Sequence, residues 1–173
     1  MSRDEGLSPQ PVLLGLLMAA PRHGYELYQE FERELGAVWQ IGLSQLYAQL
    51  KQLEEAGLVA SHTEPQPSRP PRKVYHLTDE GRAAFLDWVG QPTPYLRHIR
   101  LEFLTRLYFY RMLELPGLAG LVAEQTAVCS AQVARFARMA EEAGDPFRRC
   151  VLEFRRGQLE AVMGWLGRCL EIL

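Results

Sequence analysis

Residues 43–58 read LSQLYAQLKQLEEAGL, and their spacing decides the fold. Leu43, Leu46, Leu50 and Leu53 recur at steps of three and four, which places them on one face of a helix, and Gly57 stands where a C-cap falls. The opposite face carries Ser44, Gln45, Gln49 and Gln52, whose hydroxyl and amide groups both donate and accept hydrogen bonds. Such groups suit the base edges and backbone of a DNA groove. A face selected only for solubility is expected to carry more Lys and Glu.

The segments on either side fit a helix that is presented to a partner. Val59–Glu64 reads as a short strand, PQPSRPPRK at 65–73 as a proline-rich basic tip, and Val74–Leu77 as a second strand. Thr78 is placed to cap a fourth helix over Asp79–Val89. On the N-terminal side, Gly24–Leu35 has Leu27, Phe31 and Leu35 in helical register, and AVWQIG at 37–42 leads into Leu43. Helix, turn, helix and hairpin in that order predict a winged helix-turn-helix with Leu43–Glu55 as its recognition helix.

Four segments carry a resemblance: HGYELYQEF at 23–31, SQLYAQLKQLEEAGLV at 44–59, RKVYHLTDEGR at 72–82 and RLEFLTRLYFY at 100–110. As a set they resemble the PadR family of bacterial transcriptional regulators, in its longer form with a helical C-terminal domain. The resemblance implies a homodimeric DNA-binding regulator. It also implies that Tyr47 is the tyrosine such proteins carry near the start of the recognition helix, and that Tyr75 is their wing aromatic. Some relatives respond to phenolic or other planar aromatic compounds. Others have no known small ligand, so the resemblance leaves a small aromatic effector open, with Trp39, Trp88, Tyr108 and Trp165 as residues able to line its pocket and core packing as the alternative role for the same residues.

Composition sets the bounds. The 173 residues are 47% apolar and 23% charged, enough for one large core or two small ones. Cys129, Cys150 and Cys169 are too few and too scattered for a disulfide framework. MSRDEGLSPQ at the N-terminus lacks a hydrophobic signal core, and VLLGLLMAA at 12–20 is too short to span a membrane. A cytoplasmic protein is expected. The formal net charge is -2, and it is unevenly spread: residues 1–90 hold eight Lys or Arg against twelve Asp or Glu, a balance of -4. DNA binding by so acidic a half requires its cations to cluster, and Arg69, Arg72 and Lys73 do so at the wing.

The rest of the chain reads as helix. PVLLGLLMAA at 11–20 is apolar nearly all round, so it belongs at the centre of a core or under a second subunit. GQPTP at 90–94 is the one clear linker and divides the chain into 1–90, a DNA-binding domain, and 91–173, a helical dimerisation domain. Leu96–Leu113 carries Ile99, Phe103, Leu107 and Tyr110 on one stripe. A helix from Pro116 and another from Phe147 to Leu170, reversed at AGDPF, predict a long antiparallel hairpin whose outer stripe needs a second copy to cover it. The expected fold is mainly α with one small β-hairpin.

The candidate contacts follow. Arg22, in the turn before the second helix, is placed for a phosphate. Ser44 and Gln45 lie in the first turn of the recognition helix, the part that enters a groove first, with Tyr47 and Gln49 further along. Arg69, Arg72 and Lys73 are phosphate contacts from the wing. No catalytic motif or metal-ligand spacing is present, and no cofactor is expected. The leading reading is a sequence-specific repressor. The alternative is a winged-helix protein-interaction module without DNA binding, which the acidic reading half supports.

Overall fold

Helix α3 (Leu43–Glu55) buries Leu46, Leu50 and Leu53 and ends in a full left-handed cap. Gly57 has φ +72°, a conformation that costs a side chain but not glycine. Its N–H donates to Glu54 O and that of Leu58 to Leu53 O, which satisfies two carbonyls that the helix end leaves open. Leu43, counted in the apolar stripe above, sits in the first turn and is exposed instead.

The computed structural model describes residues 8–65 and 71–173. Around α3 lie α1 (Gln10–Ala19), α2 (Gly24–Leu35), the wing strands β2 (Val59–Glu64) and β3 (Arg72–Leu77), and α4 (Asp79–Val89). A two-residue strand, β1 (Arg22–His23), pairs antiparallel with β3, so the sheet has three strands in the order β1-β3-β2. Sequence reading expected a turn at Arg22–Gly24, because two residues are too few to show a strand period. The opposite hairpin register runs from Val59 against Leu77 to Glu64 against Arg72.

One helix organises this unit. Val12, Leu13, Leu14, Leu16 and Leu17 of α1 are all buried, and α1 touches α2, α3, α4 and β3. Of the two covers foreseen for this apolar helix, its own domain supplies one. Leu104–Phe109 belongs to the same compact unit, which otherwise closes at Gly90. Phe109 meets Phe85 edge-on at 5.1 Å against the small surface that Gly15 leaves on α1.

The second unit comprises Gln91–Phe103 and Tyr110–Leu173. The single helix expected over Leu96–Leu113 is interrupted: α5 (Leu96–His98) runs into a π-helical turn at Ile99–Phe103 and then α6 (Leu104–Met112). Helices α7 (Leu118–Glu141) and α8 (Pro146–Ile172) form the antiparallel hairpin. Asp145 caps α8 by accepting from Arg148 N, with Pro146 in the first turn. Val122, Cys129 and Phe136 face Leu152, Leu159 and Leu166, each series at seven-residue steps, the spacing of coiled-coil seams. The proline-rich linker is strapped to α7: buried Gln125 accepts from Thr93 N at 2.6 Å and donates to Thr93 O at 3.1 Å, and Gln132 donates to Pro94 O.

Thr78 accepts from Gly81 N to cap α4 and donates to Gly57 O, joining α4 to the end of α3. A Cβ at Gly81 would collide with the Leu58 carbonyl oxygen, part of the backbone. Gly81→Ala is expected to cost about 3 kcal/mol, the upper end for overpacking. Gly42→Ala, with open space at the same position, should cost far less; urea denaturation of the two variants measures the contrast.

Candidate nucleic-acid interface

The buried leucines of α3 fix which side of the helix looks out. Ser44 and Gln45 are exposed in its first turn, Tyr47 is 42% exposed one turn on, and Gln49 is half-buried. Gln52, on the same polar face, is engaged by Gln10, whose amide donates to it at 2.9 Å. The face free to meet a ligand is therefore the N-terminal half of the helix, the half that helix-turn-helix proteins place against base edges.

Tyr47 is oriented by a neighbour that sequence reading did not single out. A Cβ built on Gly24, the first residue of α2, would lie 2.5 Å from the Tyr47 ring. The ring thus rests on the bare backbone of α2 and holds its phenol at the surface between the two helices. HGY at 23–25 is the available signal: a glycine opening a helix, where a side chain would ordinarily favour the fold.

The cations are less free than their sequence positions suggest. Arg22 forms an ion pair with Glu30, 2.7 Å from Nε to Oε2, and its second nitrogen donates to Oε1 at 3.2 Å. Glu30 is buried, so this ion pair, closed by one hydrogen bond, neutralises a carboxylate inside the domain. Lys73 pairs with Glu54 at 2.6 Å and lies 5.2 Å above the Tyr75 ring. Tyr75 itself is only 6% exposed, and burial pushes its phenol pKa up. Arg72 is half-buried and has no ion pair among the described residues. Arg69 lies outside the described residues.

His23, His62 and Glu64 meet on one face of the wing sheet, His62 Nε2 3.3 Å and His23 Nε2 4.0 Å from the carboxylate. Among the described residues no group of three His, Cys, Asp or Glu is placed to hold a metal ion.

The four aromatic residues expected to line an effector pocket fall in both units. Trp88 packs on Phe85, with the Arg106 guanidinium 4.7 Å over its ring. Trp39 is half-buried. Tyr108 is half-buried beside Phe109, and burial together with Glu34 and Glu30 pushes its pKa up to about 12. Trp165 belongs to the second unit, where it meets Phe103 edge-on at 6.2 Å. An open cleft of about 340 Å³ lies at the α7–α8 turn, lined by Ala143, Gly144, Pro146, Arg149, Cys150 and Glu153. None of the four aromatics lines it.

Three-stranded wing, exposed helix face and appended helical hairpin define a winged helix-turn-helix protein of the regulator type. Residues 13–87 match the transcriptional regulator PadR-like family, and residues 99–173 match the virulence activator alpha C-terminal family. The chain is 32% identical over 113 residues to the negative transcriptional regulator PadR of Bacillus subtilis, covering 65% of this chain and 62% of that protein. It is 35% identical over 97 residues to a probable transcriptional regulator of Mycobacterium tuberculosis, covering 56% of this chain and 51% of that one. These matches thus span between half and two thirds of the curated relatives. The crystal structure of Bacillus subtilis PadR in complex with operator DNA superposes with a TM-score of 0.51 at 25% identity, over 98% of this chain and 99% of that one. Residues 13–87 thus carry the PadR-like regulator module, and the chain as a whole shares its fold with the Bacillus subtilis protein, helical C-terminal part included.

Gly24→Ala is expected to push the Tyr47 ring aside, because the colliding atoms are the far end of a side chain rather than backbone. Its melting temperature should stay near that of the wild type, while affinity for duplex DNA falls. Fluorescence anisotropy against a labelled duplex, beside a thermal melt, checks both halves.

Proposed function

We propose that the protein is a homodimeric, sequence-specific DNA-binding repressor that works in the cytoplasm. In this reading residues 1–90 bind DNA and residues 91–173 dimerise. One observation carries it: the polar N-terminal half of α3, with Ser44, Gln45 and Tyr47 exposed, is backed by buried leucines and flanked by a basic wing. Two copies of α3 entering successive major grooves, roughly 34 Å apart, read an inverted repeat. Ser44 and Gln45 supply base or backbone contacts, Tyr47 and Gln49 extend them, and Arg72 with Arg69 supplies phosphate contacts. The Bacillus subtilis relative is named a negative transcriptional regulator, and its crystal structure contains operator DNA. Those words, applied to this chain, support repression. No helix among the described residues is long and apolar enough to cross a membrane.

Dimerisation is supported by the outer side of α8. Phe147, Val151 and Phe154 share a stripe at steps of four and three, with Phe147 76% and Phe154 65% exposed. At about 100° per residue that stripe lies roughly a third of a turn from the Leu152, Leu159 and Leu166 seam, which α7 already covers. Exposed aromatic stripes of this kind mark interfaces. A small aromatic effector is part of the same proposal. Quenching of tryptophan emission by a phenolic acid decides it, with Trp39, Trp88, Tyr108 and Trp165 as the residues to substitute.

The second reading, an interaction module without DNA binding, is favoured by one observation: Arg22 and Lys73, two of its expected phosphate contacts, are ion-paired within the domain. Gln45→Ala separates the readings. The variant should lose about 1 to 3 kcal/mol of discrimination between a duplex enriched by the wild type from a random library and an unselected duplex. Sedimentation should show a dimer at micromolar concentration. A monomer, or a wild type that enriches no sequence, favours the interaction module.

A further inference from the structure

Glu54 stands where helix electrostatics disfavours it. It lies in the last turn of α3, next to the negative end of the macrodipole, and beside a wing that on the present reading meets phosphates. An acid there opposes both the helix and the ligand, so a compensating role is to be sought in its contacts.

Those contacts span three elements. The Glu54 carboxylate accepts from Ser61 Oγ on β2 and from Lys73 Nζ on β3, the latter at 2.6 Å. In the hairpin register Ser61 faces Tyr75 and Thr63 faces Lys73, so Ser61 and Lys73 lie on the same face of the sheet. One side chain at the end of the recognition helix therefore ties down both strands of the wing. The contact is half sheltered, with side chains 31% and 47% exposed. Lys73 holds the Glu54 carboxyl below the usual carboxylate range, with Ser61 adding to the effect, and Glu54 in turn raises the Lys73 ammonium.

Resting on the DNA-binding reading, we propose that Glu54 is a positioning residue for DNA recognition. It fixes the wing against the recognition helix and keeps Lys73 off the phosphates, which trades non-specific affinity for discrimination. Arg72 then carries the wing's phosphate contact among the described residues. The chain's acidic balance fits this arrangement: a domain that spends cations internally binds random DNA weakly and depends on the correct geometry at the correct site.

The test is Glu54→Gln, which keeps the volume and the bond from Ser61 but removes the charge that holds Lys73. Binding is measured to an unselected duplex and to a duplex enriched by the wild type from a random library, at several salt concentrations. With Lys73 released, the variant should bind the unselected duplex more tightly at low salt. Its salt slope should steepen by about 0.9, an extra loss of about threefold in affinity between about 50 and 200 mM. Affinity for the enriched duplex should gain less, so discrimination falls. In a Lys73→Met background the same substitution should leave the slope unchanged; a slope that steepens only when Lys73 is present is an outcome that a purely structural role for Glu54 does not produce.

Tighter binding of both duplexes by one factor with an unchanged slope would make Glu54 a repelling charge only, and equal weakening of both would make it a structural residue; either result overturns the proposal. If the wild type binds neither duplex, the DNA-binding reading fails and takes the recognition role with it. The clamp is then judged in the free protein. Glu54→Gln should speed amide exchange in Val59–Glu64 and Arg72–Leu77. The wild type's stability advantage over it should be full above the ordinary carboxylate pKa, about 4.3, and vanish as pH falls through the lowered pKa of Glu54. Equal exchange and equal acid stability rule the clamp out.

Discussion

The first unit depends on a helix that has no polar side. Val12, Leu13, Leu14, Leu16 and Leu17 of α1 cannot face water, and α2, α3, α4 and β3 pack around them. Burying five such side chains contributes on the order of 1.5 to 3 kcal/mol each, measured against leaving them exposed. The recognition helix is one of the walls. Because Leu46, Leu50 and Leu53 must reach the core, the orientation of Ser44, Gln45 and Tyr47 toward solvent is set by the same packing. Core and reading face are two sides of one constraint.

Much of this was legible in the chain. The three- and four-residue leucine steps, Gly57 and Thr78 signalled α3, its C-terminal cap and the N-cap of α4, and the left-handed Gly57 and the Thr78 contacts show the expected roles. Period signals need length, which explains what was not legible: β1 is two residues long and exists only because Val74 and Tyr75 of β3 offer it a partner. The π-helical turn at Ile99–Phe103 likewise leaves no mark in a broad apolar stripe. For the site, spacing placed the α3 face but not the fate of the cations. Arg22 meets Glu30 eight residues away and Lys73 meets Glu54 nineteen away, pairings set by the tertiary fold. The contribution of Gly24 is equally hidden, since it consists of space left for Tyr47.

The ion pairs recast the acidic reading half. Two of its acids are not idle solvated charge: Glu30 neutralises Arg22 inside the domain, and Glu54 binds Lys73 at the base of the wing. On the proposed reading, what remains to meet phosphates is a small number of groups whose placement matters more than their sum. The second unit is held by contacts of its own. There the seven-residue seam between α7 and α8 uses one side of each helix, and Gln125 anchors the linker backbone to α7 at Thr93. Phe147, Val151 and Phe154 remain on the outside, where a second copy is the proposed cover.

The central claim is that two α3 helices, one from each copy, read one duplex. Hydroxyl-radical footprinting on a duplex enriched from a random library tests it most directly. The account predicts two protected patches related by a two-fold axis and centred about one helical turn, 10 to 10.5 base pairs, apart. A single protected patch, or uniform protection without sequence preference, would contradict it.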